Sequence, residues 1–206
     1  MNYQNIEPRN IENGNGIRCV LWVSGCDHNC EGCFNPQTHD PKSGIEFDKD
    51  ALDEIHDALN AEYCAGLTLS GGDPLFKDNL DTVLELCKMV KEEYHKTVWM
   101  WTGSIFESLI LDNSEIGLKR KEILQYVDVL VDGPFVQSLA SKEYHWAGST
   151  NQRVIKIPDT LSNLDTLKHT TPDFTKELIE KNIVYLENDQ EMKHNESMKS
   201  IPTCGC

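Results

Sequence analysis

Gly25-Cys26-Asp27-His28-Asn29-Cys30-Glu31-Gly32-Cys33-Phe34-Asn35 gathers three cysteines on one short, glycine-bearing stretch, in the pattern Cys-x3-Cys-x2-Cys. Thiolates select soft metal centres such as zinc, cuprous copper or iron–sulfur clusters. Structural zinc asks for four ligands, usually as two Cys/His pairs separated by a longer gap, whereas Cys26, Cys30 and Cys33 form a compact trio with no matching second pair. An iron–sulfur cubane held by three cysteines keeps one iron open to a small molecule, as an open coordination position marks catalytic metal sites. The non-enzymatic alternative is a zinc-stabilised binding module in which Cys19 or His28 completes a tetrahedron with the trio.

Outward from this loop the chain alternates between strand and helix patterns. Upstream, Asn13-Gly14-Asn15-Gly16 is a turn, because Asn-Gly pairs tolerate positive φ, and it delivers Arg18-Cys19-Val20-Leu21-Trp22-Val23 as the first strand. A mostly apolar run suits a strand covered on both faces, so the cysteines fall at the C-terminal end of a buried strand, where parallel α/β sheets place their active sites. Downstream, Asp48 is placed to cap a helix carrying Leu52, Ile55 and Leu59 at helical spacing. Gly66-Leu67-Thr68-Leu69-Ser70 predicts a second strand ending in Gly71-Gly72-Asp73-Pro74, followed by a helix with Leu80, Val83, Leu84, Cys87 and Val90 on one face. Residues 97–101 and 127–131 predict a third and a fourth strand, closed by Thr102-Gly103 and Asp132-Gly133-Pro134, with helical sequence at 105–111 and 119–126 between them. This alternation predicts a parallel sheet with right-handed crossovers, in too few units for a complete eight-stranded barrel.

A chain of 206 residues suits one domain with a core that needs no disulfide staples. No apolar run approaches the roughly 18 residues of a membrane span, and Met1-Asn2-Tyr3-Gln4 leads into polar sequence, so a cytoplasmic protein is expected. In that reducing compartment the eight cysteines point to metal or redox use, and Cys19, Cys64 and Cys87, in apolar periodic segments, read as small buried hydrophobes. A formal net charge of −15 speaks against a nucleic-acid surface and favours a partner with basic patches.

With the cysteine loop followed by an aromatic residue, Phe34, the sequence resembles the radical S-adenosylmethionine (SAM) enzymes. More narrowly, it is similar to the activating proteins of the anaerobic ribonucleotide reductase. That likeness rests on an ordered set: Asn13-Gly14-Asn15-Gly16, Val23-Ser24-Gly25-Cys26, Leu69-Ser70-Gly71-Gly72-Asp73-Pro74-Leu75, Trp99-Met100-Trp101-Thr102-Gly103, Val127-Asp128-Val129-Leu130-Val131-Asp132-Gly133 and Gly148-Ser149-Thr150-Asn151-Gln152. The resemblance implies an α/β fold, a partial, open (β/α) barrel forming an activase domain over residues 1–157; the matched motifs stop there, and the charged and polar composition of 158–206 predicts a poorly ordered or helical C-terminal extension that departs from the family pattern. It implies one 4Fe-4S cluster on Cys26, Cys30 and Cys33, with SAM chelating the fourth iron. Reductive cleavage of SAM then serves to abstract hydrogen from a glycine α-carbon in the large subunit of the anaerobic ribonucleotide reductase, an oxidoreductase reaction that leaves a glycyl radical.

The cofactor-binding positions implied are Gly32, Cys33 and Phe34 near the adenine, Gly71, Gly72 and Asp73 near the methionine end, and Thr102 and Asp132 near the ribose or a monovalent cation. A flavodoxin-like electron donor is expected, since no second ferredoxin-like cysteine set is visible. Activating enzymes of other glycyl-radical proteins, such as pyruvate formate-lyase, share the loop and the glycine pair; the Trp-x-Trp-Thr-Gly and Gly-Ser-x-Asn-Gln stretches favour the reductase activators. The reading gives no mechanism to Trp146, Asn151 or Gln152, and places Asp27 and His28 on a surface loop. In the extension it expects a helix over 172–186, a polar linker over 188–200, and Cys204-Gly205-Cys206 as a redox pair, a chance pair or a second metal handle.

Overall fold

The computed structural model describes residues 1–168 and 174–186. Its strands are β1 (Asn2–Asn10), β2 (Ile17–Val23), β3 (Ile45–Glu46), β4 (Cys64–Gly71), β5 (Thr97–Trp101), β6 (Val129–Asp132) and β7 (Arg153–Lys156). They form one open sheet in the order β3-β1-β2-β4-β5-β6-β7. The helices are α1 (Lys49–Asn60), α2 (Leu80–Glu92), α3 (Phe106–Leu111), α4 (Glu115–Leu124), α5 (Ile157–Lys168) and α6 (Lys176–Glu180).

The four strands expected from sequence, β2, β4, β5 and β6, pair in parallel. The expectation of a wholly parallel sheet is corrected at both edges, where β1 runs antiparallel to β2 and β3, and β7 antiparallel to β6. β1 escapes a search for apolar runs because Ile6 is its one buried residue, paired with Leu21. Its remaining positions are half-buried or exposed and mostly polar, as in an antiparallel strand with one wet face.

Side chains alternate across the sheet with the period of two. Cys19, Leu21 and Val23 of β2 join Leu67, Leu69, Val98, Met100, Leu130 and Ile155 in the main core, which α1 and α2 cover with Ile55, Leu59, Val83 and Val90. The capping expected of Asp48 is present: its Oδ1 accepts from the Ala51 amide at 3.0 Å. Asp48→Ala is therefore expected to cost about 1 kcal/mol in urea unfolding; an unchanged midpoint would show that the amide finds water at no loss.

The opposite face carries Arg18, Trp22, Thr68, Ser70, Trp99 and Trp101, and a smaller cluster forms there from Trp99, Val129, Val131, Tyr144, Ala147 and Val154. Arg18, first in a run read as apolar, is fully buried. Its guanidinium donates to the hydroxyls of Thr68 and Thr97 and to the carbonyls of Asn15, Leu67 and Thr97, and lies 5.6 Å from the Trp99 ring centroid. Burial pushes its pKa down to about 10, so it keeps its charge at neutral pH. It ties the 13–16 turn to the floor of the sheet.

After β7 the chain stays on the same core, to which Ile157, Leu164, Ile179 and Ile183 contribute. The helix expected over 172–186 is shorter: α6 ends at Glu180, and Val184 and Leu186 then bond to Lys156 and Val154 as an extended segment. Pro172, the 188–200 linker and Cys204 and Cys206 lie outside the described residues. Among the described residues, no helix is long and apolar enough to cross a membrane.

Candidate metal centre

The cysteine loop begins where β2 ends. The Gly25 amide donates to Thr38 (2.7 Å), the Cys26 amide to His39 (3.2 Å), and Gly25 accepts from the Asp73 amide (2.8 Å). Asn29 (φ 47) and Gly32 (φ 70) then turn the backbone through the left-handed region, which these two residue types enter at least cost. The result brings Cys26, Cys30 and Cys33, each half-buried, to one cavity of about 410 Å3. That volume is within the usual span of small-molecule sites, about 300–1,000 Å3.

At the ends of β4 and β5 the cavity meets Ser70, Gly71, Gly72, Thr102 and Gly103; its far wall is Trp22, Trp101, Phe135, Trp146 and Gly148. Phe34 also lines it, 71% exposed and 4.8 Å from Phe135 between ring centroids. The glycine pair has a steric reason. A Cβ on Gly71 (φ 101) would stand 2.7 Å from the Val23 carbonyl oxygen, and one on Gly72 2.6 Å from that of Gly25, so only glycines let β4 close on the start of the loop.

Gly32, Asp73 and Asp132, which the sequence marked for the cofactor, are not among the residues lining the cavity. Gly32 sits against Gln137. Asp73 is 3% exposed: its Oδ1 accepts from the Leu75 amide (2.8 Å), and its Oδ2 accepts from Thr102 Oγ1 (2.9 Å) and His28 Nε2 (2.6 Å). Asp132, 1% exposed, is bound by Arg153 and by the Phe106 amide (2.7 Å). Burial pushes the Asp132 carboxyl up, against the pull of Arg153.

His28 corrects the expectation of a surface loop residue. It is half-buried, and the hydrogen bond it donates to Asp73 raises its pKa against the effect of burial. A Cβ on Gly103 would stand 2.4 Å from its ring, which explains the glycine of the Trp-x-Trp-Thr-Gly stretch. Asp27 is exposed, as expected.

Residues without an assigned role prove to build the wall. Gln152 Oε1 accepts from the amides of Gly148 (2.9 Å) and Ser149 (3.2 Å), its Nε2 donates to Gly133 (3.0 Å), and Asn151 Nδ2 donates to Pro134 (2.8 Å). Trp101 Nε1 donates to the Trp146 carbonyl at 2.9 Å. The aromatic wall was available to sequence reasoning through strand alternation, since Trp22, Ser70 and Trp101 share one face.

The donor set fits an iron–sulfur cluster. Three unpaired thiols open on a partly enclosed space, and burial pushes the Cys26 thiol up to about 11, so metal must displace its proton on binding. Among the described residues, no three His, Cys, Asp or Glu side chains are gathered as ligands of a single ion.

Residues 12–155 match the family described as 4Fe-4S single cluster domain, which places the chain among iron–sulfur proteins. The chain is 41% identical over 155 residues to the anaerobic ribonucleoside-triphosphate reductase-activating protein of Enterobacteria phage T4, covering 75% of this chain and 93% of the phage protein. For the protein of that name from Vibrio cholerae the identity is 42% over 155 residues (74% and 96%), and for that from Escherichia coli K12 it is 40% over 157 residues (75% and 97%). The chain belongs to this family of anaerobic ribonucleoside-triphosphate reductase-activating proteins.

Proposed function

We propose that this protein reductively cleaves SAM and thereby generates a glycyl radical on the anaerobic ribonucleotide reductase. The observation that carries the reading is the opening of Cys26, Cys30 and Cys33 on one cavity, faced by the glycine pair at the end of a parallel strand. When bound, the cluster and SAM supply one-electron chemistry that ends in loss of a hydrogen from a glycine α-carbon.

This chain's residues hold, orient and shield. Cys26, Cys30 and Cys33 bind the cluster as thiolates. Gly71 and Gly72 would present main chain to the methionine end of SAM without side-chain obstruction, and Phe34 would flank the adenine. Thr102 keeps its Oγ1 proton on Asp73 and so offers its oxygen lone pairs, one of them used by the Ser104 amide (3.1 Å). Trp22, Trp101, Trp146 and Phe135 restrict water on the remaining side. Asp73 and Asp132 serve from behind the wall, supporting residues that face the cavity. The substrate is a backbone loop of the reductase large subunit, and a flavodoxin-like protein delivers the electron.

The test is anaerobic reconstitution with iron and sulfide, followed by dithionite and SAM. 5′-Deoxyadenosine is expected, as is an organic radical doublet in electron paramagnetic resonance (EPR) when the reductase is added. An intact, reducible cluster that yields no nucleoside with SAM would sink the proposal; nucleoside without a radical on the reductase would move it to another glycyl-radical partner.

A further inference from the structure

The cysteine loop has almost no regular structure of its own, yet metal ligands work only when outer contacts set their direction. A side-chain hydrogen bond ties it to the sheet rim through His28, between Cys26 and Cys30 in sequence. The ring Nε2–H donates to Asp73 Oδ2 at 2.6 Å, and that oxygen also accepts from Thr102 Oγ1 at 2.9 Å. Asp73 is itself held from three sides. Its Oδ1 accepts from the Leu75 amide (2.8 Å), its amide donates to Gly25 (2.8 Å), and its carbonyl accepts from Asn79 Nδ2 (3.0 Å), which also donates to Ser24 (2.8 Å). The carboxylate is thereby fixed where the base of the loop meets the end of β4, and the imidazole ties the Cys26–Cys30 segment to it.

Gly103 completes the seat. Its backbone lies outside the left-handed region, so conformation does not demand glycine there. Space does: a Cβ would stand 2.4 Å from His28 Cδ2 and 2.5 Å from Cγ, too near the root of the side chain for a rotamer change to relieve.

We propose that His28 is a positioning residue of the metal centre: clasped by Asp73 and seated on Gly103, it sets how the Cys26–Cys30 segment stands against the ends of β4 and β5. This rests on the cluster reading above. It gives Asp73 and Gly103 one purpose, which is to hold the imidazole that holds the loop. The three thiolates bind iron; the latch determines the geometry in which they do so.

The experiment compares wild type, His28→Ala, Gly103→Ala, the double variant and His28→Gln after anaerobic reconstitution. It measures iron retained against a chelator, the EPR spectrum of the reduced cluster with and without SAM, and the thermal midpoint of the metal-free protein. His28→Ala should load iron through its three cysteines, but retention should fall about 10–100-fold, the usual cost of losing an outer-shell partner, with an altered spectrum. Gly103→Ala should reproduce the effect by displacing the ring, and should add nothing in the His28→Ala background, because the clash is gone. His28→Gln, which keeps a donor within reach of Asp73, should recover part of it.

A merely structural role would lower the metal-free midpoint and leave the spectrum of the retained cluster unchanged, which would overturn the proposal. So would a Gly103→Ala cost that is equal in both backgrounds. Failure of the wild type itself to load a cluster would bring down the cluster reading, and the latch with it.

Discussion

Arg153→Met is expected to destabilise the protein by about 3–5 kcal/mol, the cost of removing one partner from a buried ion pair. Arg153 donates Nη1 and Nη2 to the two Glu107 oxygens (2.7 Å each) and Nε to Asp132 (2.9 Å), and both carboxylates are 1% exposed. No other cation bonds to either carboxylate among the described residues. Methionine keeps much of the volume, so the loss reports charge more than packing.

The pH dependence separates these two causes. In the wild type, burial pushes Glu107 up, but the Arg153 fork outweighs it and holds the carboxyl below its ordinary range. That stability is present above the unfolded pKa and is lost as pH falls through the lowered folded one. Asp132, raised, contributes in the opposite sense. Without Arg153 both folded pKa values rise above the unfolded ones. The folded variant then binds more protons than the unfolded chain, and gains stability as pH falls. Urea titrations should show the deficit narrowing from pH 8 to pH 5; a deficit under about 1 kcal/mol, or one independent of pH, would show that Arg153 acts through packing alone. Asp132 ends β6 one residue before Gly133 and Arg153 begins β7 one residue after Gln152, so the triad braces that wall of the cavity from behind.

The legible part of this fold was the part that repeats. Buried parallel strands are short apolar runs, and the helices between them show the helical period with Asp48 at a cap, so β2, β4, β5, β6, α1 and α2 could be placed without coordinates. β1 and β7 could not, because β1 carries one buried side chain and takes its order from pairing with β2, and β7 is only four residues long and takes its order from pairing with β6. The same limit applied to the site. That Cys26, Cys30, Cys33, Gly71 and Gly72 come together on one cavity was legible because the chemistry of thiolates and the sterics of glycine are local. The direction of a carboxylate is not local: Asp73 and Asp132 stand at strand ends on the rim, yet neither lines the cavity, because one is taken up by His28 and Thr102, which do line it, and the other by Arg153, 21 residues away in sequence.

Cys30→Ser should abolish SAM cleavage, more than ~100-fold and so beyond the cost of losing an outer-shell partner, while leaving the fold intact. The two effects separate because Cys30 is half-buried on an irregular loop, with its carbonyl rather than its sulfur engaged, accepting from the Cys33 amide at 3.2 Å. Serine keeps that backbone bond, and the stability change should stay within about 0.5 kcal/mol. The metal chemistry has no such tolerance, since a hydroxyl holds its proton where a thiol releases it, and oxygen is a poor match for a soft centre. Cys87→Ser should show the reverse. Cys87 is fully buried in α2, and burial pushes its thiol up, so it acts as a small hydrophobe. A hydroxyl there should cost about 1–3 kcal/mol with iron content unchanged. Iron analysis and urea unfolding of the two variants side by side would decide it. If Cys30→Ser retained a full cluster, the trio would not be the ligand set; if Cys87→Ser lost iron without losing stability, a cysteine on the helix side of the sheet would have to be counted among the ligands.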